Sequence, residues 1–190
     1  MPLTETLAVT KKIVDIFSQL NIKCIVGGSV ASSLHGIPRA TQDVDVVVQL
    51  FPNQVSKLVA ILNEQFYVDQ NAVVEAVARS SSFNVIHLET MYKVDVFVCG
   101  DDELKREEIS RSVSVVIDEK TKDTILIADA SDIIIQKLIW YELGNRVSDR
   151  QWRDVLGVIK VSGDALDMEY LKKWAKKKGV FELLELALKE

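Results

Sequence analysis

The chain has 190 residues, of which 48% are hydrophobic, and its formal net charge is −5 at pH 7. This length and apolar content suffice to bury a core, so one domain with a helical appendage, or two small lobes, is expected. The negative charge excludes a global basic field that would hold long DNA or RNA, although it is compatible with a local basic patch.

The predicted elements alternate between helices and strands and then become helical only. Apolar residues recur at helical spacing in some segments, and β-branched and aromatic residues cluster in others. In chain order the sequence predicts a helix at 3–20, a strand at 23–26, a helix at 30–35, a strand at 44–49, a helix opened by Pro52, a helix at 72–78, strand pairs at 82–88 with 92–98 and at 113–117 with 124–127, helices at 132–143, 148–161 and 167–178, and a tail helix after Gly179. This order predicts an α/β lobe, residues 1–128, and a helical lobe, residues 129–190.

Nothing in the sequence indicates a membrane or secretion. No run reaches transmembrane length, and residues 1–20 lack the apolar segment of a signal peptide. Cys24 and Cys99 lie in or beside predicted strands and form no zinc-like pair, so they are expected to be buried thiols. We therefore expect a cytoplasmic protein without a membrane partner.

Two aspartates one residue apart, Asp43 and Asp45, lie in the apolar run 43–48. Residues i and i+2 of a strand point to one face, so these carboxylates project side by side. Such a pair repels itself near apolar surface, and a divalent cation removes that cost. Mg²⁺ is usually held by a few carboxylates and substrate phosphates. The same spacing is also common on solvated strand faces, so the pair alone leaves both interpretations open.

Two further features strengthen the metal interpretation. Asp95 lies between valines in a later predicted strand, and we expect it to share the face of the aspartate pair. Gly28 and Ser29 lie between a strand and a predicted helix, where backbone N–H groups can bind phosphate and glycine permits close approach. A glycine followed by serine is also typical of an ordinary strand-to-helix turn. The metal interpretation therefore depends on the combination of the turn, the aspartate pair and the third aspartate in this order.

This combination resembles the signature of the nucleotidyltransferase superfamily with the DNA polymerase beta-like fold. The matching residues are Gly28-Ser29, thirteen intervening residues, the run Asp43-Val44-Asp45-Val46, and Asp95 on a later strand. Arg39-Ala40-Thr41-Gln42 is similar to the Arg-x-Thr-x segment that precedes the aspartates in minimal bacterial members.

The later helices resemble one branch of the superfamily, which includes AbiEii-like toxins. Segments 131–138 and 150–155 carry this likeness, and the resemblance as a whole spans most of residues 20–160. It implies an α+β fold in which a mixed sheet has flanking helices and is followed by a C-terminal helical lobe.

The resemblance also implies an activity, the transfer of NMP from an NTP to a hydroxyl on a small molecule, a protein or RNA. Asp43 and Asp45 would bind two Mg²⁺ or Mn²⁺ ions. Asp95 would complete one of these metal sites and would accept the proton of the attacking hydroxyl. Gly28 and Ser29 would bind the nucleotide.

Each of three charged residues has two possible roles. Arg39 either contacts substrate phosphate or solvates its loop. Lys137 is either a surface lysine or, by resemblance, a ligand of the β- and γ-phosphates. Asp154 either belongs to a helix ion-pair face with Arg150 and Arg153, or orients Lys137 or an arginine of a facing helix.

A basic cluster near the C-terminus bears on the acceptor. Its lysines surround Trp174, and they form either a solvated helix face or a weak RNA site: Lys172, Lys173, Lys176, Lys177 and Lys178. The RNA interpretation favours a toxin-like enzyme of a toxin–antitoxin pair that modifies tRNA ends. A non-catalytic nucleotide-binding module on the same fold is a further alternative, and the intact aspartate set argues against it.

Overall fold

The computed structural model describes residues 3–41 and 43–190, and its described strands form one seven-stranded mixed sheet. The strands are β1 (Lys23–Val26), β2 (Asp43–Gln49), β3 (Phe66–Val68), β4 (Ser82–His87), β5 (Lys93–Val98), β6 (Val113–Asp118) and β7 (Asp123–Ile127). The helices are α1 (Leu3–Gln19), α2 (Gly28–His35), α3 (Val55–Leu62), α4 (Gln70–Arg79), α5 (Glu103–Arg111), α6 (Ala130–Leu143), α7 (Asp149–Ser162), α8 (Met168–Lys177) and α9 (Phe181–Ala187). Gln42, the last residue of the predicted 39–42 segment, lies outside the described residues.

The strand order, β3-β4-β5-β2-β1-β7-β6, places β2 beside both β1 and β5. β2 runs antiparallel to β1 and parallel to β5. The apolar positions that alternate along β2, Val44, Val46 and Val48, are fully buried. Burial of this face fixes the register of β2, because a shift by one residue would turn the valines outward. The predicted mixed α/β fold is therefore confirmed.

The described residues divide into two units. The first contains the described residues up to Val30 together with Ala40–Ile127, and it includes the whole sheet. The second contains Ala31–Arg39 and Ala128–Glu190, and its described elements are helical. The separation of residues 1–128 and 129–190 into domains stays a prediction, since compactness does not show which segments fold independently.

Side-chain caps fix the starts of three helices in the second unit, α6, α7 and α8. The Asp129 carboxylate accepts a hydrogen bond from the Ser131 N–H at 2.9 Å. Ser148, the predicted cap of α7, accepts from the Gln151 N–H at 3.4 Å, and Asp167 accepts from the Tyr170 N–H at 2.9 Å. Caps of this kind each contribute about 1 kcal/mol to stability.

Two described elements, β3 and α5, were not predicted. β3 has three residues, too few for an alternating pattern to be visible. α5 is rich in charged residues and buries only Leu104 and Glu108, so it shows no apolar stripe. The signal that could have found α5 is its cap, Asp102, whose carboxylate accepts from the Lys105 N–H at 3.2 Å.

The cysteines agree with the prediction, since Cys24 and Cys99 are both free and buried. Burial, assisted by the charge of Asp15, raises the pKa of Cys24 to about 12. Such a thiol carries almost no thiolate at neutral pH, so it is chemically inert.

In residues 3–41 and 43–190, no helix is both long enough and apolar enough to cross a bilayer.

His87, at the end of β4, is expected to make stability depend on pH. It is 2% exposed, its Nε2 lies 3.0 Å from the Lys12 ammonium, and its Nδ1 lies 2.8 Å from the Thr90 hydroxyl. An ammonium can only donate, so Nε2 accepts and the ring fits as the neutral form. Burial first, and the Lys12 charge second, lower the pKa of His87, while Glu89 acts in the opposite direction.

A lowered pKa means that the unfolded chain binds a proton at a higher pH than the folded chain. Stability is then complete above the ordinary histidine pKa of about 6.5 and falls as the pH drops through the folded value. We expect the free energy of unfolding in urea to be lower at pH 5.5 than at pH 7.5. His87→Gln should flatten this dependence, and an identical slope in that variant would contradict the prediction.

Candidate functional site

The pairing of β2 with β5 brings the three predicted aspartates to one face of the sheet. Asp45 is the register partner of Asp95, and Asp43 is the partner of Lys93. Neighbouring strands lie about 4.8 Å apart, so the two paired aspartates are adjacent. Asp45 and Asp95 are half-buried and Asp43 is exposed, while the alternating valines beside them are buried on the opposite face.

Gly28 makes room for the carboxylate of Asp45. The Gly27 N–H donates to the Asp45 carbonyl at 2.9 Å, which places the glycine turn beside β2. Gly28 has a φ of +54°, and a Cβ built on it would lie 1.7 Å from Asp45 Oδ2. Any side chain at Gly28 would therefore displace this carboxylate, and the backbone conformation also favours glycine. Ser29 follows in the first turn of α2.

Lys93 lies on the same face and was not identified from the sequence. Its Nζ is 2.8 Å from Asp95 Oδ2. The hydrogen bond to Asp95 raises the pKa of Lys93, whereas burial lowers it. The negative charges of Asp95, Asp43 and Asp45 raise this pKa further. All three carboxylates thus act on one ammonium. Lys93 precedes Asp95 by two residues, so strand periodicity alone could have placed it on this face.

The donor set of this face fits a divalent metal ion in its chemistry. The three carboxylates are hard oxygen ligands of the kind that Mg²⁺ and Mn²⁺ bind. The carboxylate of Asp45 occupies the space beside Gly28. Among the described residues, however, no group of three His, Cys, Asp or Glu side chains is already arranged to hold an ion. The Lys93 ammonium contacts Asp95 Oδ2, an oxygen that a metal ion would use.

The second unit holds two other predicted site residues, Arg39 and Lys137, on a single carboxylate. Arg39 donates from Nε to Asp154 Oδ1 at 2.8 Å and from Nη2 to Oδ2 at 2.9 Å. The Lys137 ammonium donates to Asp154 Oδ2 at 2.8 Å. Burial would raise the pKa of Asp154, but the two cations hold it below its ordinary value. The cluster carries two fixed positive charges and one negative charge.

This arrangement decides between alternatives that the sequence left open. Lys137 is only 5% exposed, so its interpretation as a surface lysine is wrong. Asp154 is buried, whereas Arg150 and Arg153 are exposed, so the three do not form one ion-pair face. Asp154 instead orients Lys137 together with Arg39. Whether Arg39 and Lys137 bind a nucleotide stays a prediction.

Trp174, the aromatic residue within the basic cluster, is not available to stack a nucleic-acid base. Trp174 is 1% exposed. Lys173, Lys177 and Lys178 place their ammonium groups 4.7–5.7 Å from the centre of its ring. A base cannot stack on a buried ring, so the stacking part of the RNA interpretation is wrong. What this cluster presents is charge.

Comparisons with known proteins add evidence on the fold. No protein-family profile matches the sequence, and the search of curated proteins gives no significant match. Among solved structures, the chain is similar to an antigenic nucleotidyltransferase-like protein from Paracoccidioides brasiliensis, with 16% identity, a TM-score of 0.58, and coverage of 98% of this chain and 92% of that chain.

Two antibiotic-related structures are also similar to the chain. For ANT(2'')-Ia in complex with adenylyl-2''-tobramycin, the identity is 12%, the TM-score is 0.61, and 95% of this chain and 99% of that chain are covered. For the lincosamide antibiotic adenylyltransferase LnuA with bound lincomycin, the corresponding values are 11%, 0.51, 79% and 94%. At such low identity the likeness concerns the fold, and it confirms the predicted nucleotidyltransferase fold.

Proposed function

From the nucleotidyltransferase fold of this chain, we propose that it is a metal-dependent nucleotidyltransferase, which moves NMP from an NTP to an acceptor hydroxyl. The observation that carries the proposal is the carboxylate face, where Asp43, Asp45 and Asp95 come together on β2 and β5 next to the Gly28 turn. Fold likeness alone leaves chemistry open. The intact set of three carboxylates favours an enzyme over a non-catalytic nucleotide-binding module.

The reaction assigns a role to each of these residues. The acceptor oxygen attacks the α-phosphorus, its proton passes to Asp95, and the bond to the β-phosphate oxygen breaks so that pyrophosphate leaves. Asp43, Asp45 and Asp95 would hold Mg²⁺ or Mn²⁺, which stabilises the charge that gathers on the phosphate oxygens. Backbone N–H groups at Gly28 and Ser29, where α2 begins, would bind phosphate.

Arg39 and Lys137 complete the proposed nucleotide-binding set. Asp154 holds the side chains of both cations in place. A guanidinium and an ammonium group suit a triphosphate, because hydrogen bonds between ions are stronger than those between neutral groups. On this proposal the two cations recognise the nucleotide, and the carboxylates carry out the chemistry.

The acceptor is the part of the function that the site residues leave open. Two of the similar solved structures contain lincomycin or adenylyl-2''-tobramycin. Because both antibiotics bear hydroxyl groups, hydroxyl-bearing antibiotics are the first acceptors to test. A tRNA end is the second candidate, because the lysines of α8 offer charge to a phosphate backbone.

The experiment is a transfer assay with NTPs labelled at the α- or the γ-phosphate. Acceptors would be aminoglycosides, lincosamides, total tRNA and total protein, each with Mg²⁺ or with EDTA. We expect one acceptor class to keep the α-label and none to keep the γ-label, because pyrophosphate leaves. Retention of the γ-label would indicate phosphoryl transfer instead. Nucleotide binding without labelling of any acceptor would favour the non-catalytic module.

A further inference from the structure

The carboxylate face carries its own cation. On β5, Lys93 and Asp95 are two residues apart and point to the same side, and their partners on β2 are Asp43 and Asp45. The Lys93 Nζ lies 2.8 Å from Asp95 Oδ2. This group of four side chains therefore contains three carboxylates and one ammonium.

We propose that Lys93 is a resident counter-ion of this carboxylate cluster, which a divalent cation must displace from Asp95 in order to bind. The inference rests on the metal site of the proposed function. It adds what stabilises the carboxylates in the absence of metal and what must leave Asp95 when a metal ion binds.

Electrostatics gives the counter-ion its first role. Like charges on neighbouring strands repel each other and destabilise the pair. The ammonium, at 2.8 Å from Asp95 Oδ2, offsets part of this repulsion while no metal is bound. Without Lys93, the carboxylates on these two strands would lose the ammonium that Asp95 contacts at 2.8 Å.

Exposure and side-chain chemistry give Lys93 its second role, as a cation that can leave. Its side chain is 44% exposed, whereas that of Asp95 is 20% exposed. Lysine carries its charge on a flexible four-carbon chain, and a partly exposed ion pair is weak. The ammonium can therefore move into water or onto a substrate phosphate without disturbing β5. A metal ion bound by several carboxylates would replace a single, weaker contact.

The competition predicts how variants bind Mn²⁺ in the absence of nucleotide. We expect Lys93→Met to lower the dissociation constant for Mn²⁺ at least tenfold in calorimetric or paramagnetic titration. Lys93→Arg, which keeps the charge, should bind as weakly as the wild type. The matched control is Lys23→Met, because Lys23 is an exposed lysine of the same sheet that is paired with Gln49, away from the aspartates.

Displacement itself has a separate readout in the wild-type chain. The side-chain nitrogen resonance of Lys93, assigned by its loss in Lys93→Met, should shift on addition of Mg²⁺, and the Lys23 resonance should not. In EDTA, Lys93→Met should melt at a lower temperature than the wild type. Addition of Mn²⁺ should remove this difference in melting temperature. Lys93→Gln serves as a second variant should the methionine variant fail to fold.

The outcomes separate this inference from the proposed function. Equal or weaker Mn²⁺ binding by Lys93→Met, together with loss of binding in Asp45→Asn, would overturn the counter-ion role and leave the metal site in place. Absence of Mn²⁺ binding in the wild type and in Lys93→Met, with or without ATP, would overturn the metal site and with it the inference.

Discussion

Asp45→Asn is expected to abolish nucleotidyl transfer and to leave the fold intact. Asp45 is the central carboxylate of the site, since it is paired with Asp95 and its Oδ2 occupies the space that Gly28 leaves open. Asparagine has the same shape, so the packing against Gly28 is kept, but it lacks the charge that binds a metal. The loss of several kcal/mol of charge stabilisation corresponds to a rate decrease on the order of 10³-fold.

Binding measurements extend this prediction beyond activity. Mg²⁺ with an NTP should raise the melting temperature of the wild type, because a ligand of the native state stabilises it. Asp45→Asn should lose the metal-dependent part of that rise. Its melting temperature without metal should be equal or higher, because one source of repulsion is gone.

The matched control for Asp45 is Asp101→Asn. Asp101 belongs to the same unit, its side chain is fully exposed, and its carboxylate lies 3.8 Å from the Arg106 guanidinium. This variant should keep the transfer rate and the thermal shift of the wild type. An Asp45→Asn enzyme with an unchanged rate and an unchanged metal-dependent shift would show that the metal binds elsewhere.

Asp154→Ala is expected to give a large loss of stability. Asp154 is buried and holds Arg39 and Lys137 at 2.8–2.9 Å, and the Lys137 side chain is itself buried. Alanine would leave the buried Lys137 ammonium without this partner, and also the Arg39 guanidinium, whose side chain is 25% exposed. Breaking a buried ion pair from one side costs roughly 3–5 kcal/mol, because a buried charge is left uncompensated. Urea denaturation at pH 7 measures this loss.

Two further variants identify the cause of that loss. Asp164→Ala is the control, because Asp164 is an exposed aspartate of the same unit, and surface substitutions usually change stability by about 0.5 kcal/mol or less. The combination of Asp154→Leu with Arg39→Met and Lys137→Met removes the whole ion cluster and should regain much of the stability. An Asp154→Ala protein as stable as the control would show that the cations find other partners.

Local patterns in the sequence predicted which residues share a face. Alternation along the strand of residues 43–48 assigned Val44 and Val46 to the core and the aspartates to the opposite face, and both assignments are confirmed by burial. Asp95 likewise lies on the face opposite the buried Val94 and Val96. Side-chain direction follows from the two-residue period of the strand, so it needs no knowledge of distant contacts. The order of elements likewise predicted the mixed α/β fold and the helical character of residues 129–190.

Only the tertiary structure decided which faces and charges meet. The sequence does not state that β2 and β5 are parallel neighbours in the register that pairs Asp45 with Asp95. It also does not state that Asp154 holds Arg39 from 115 positions away and Lys137 from 17 positions away, or that Trp174 lies in the core. These contacts depend on packing between distant segments, whereas local periodicity describes one segment at a time. For that reason the sequence determined the aspartates and their face, and the fold alone determined that Asp95 contacts Lys93 and that Asp154 contacts Arg39 and Lys137.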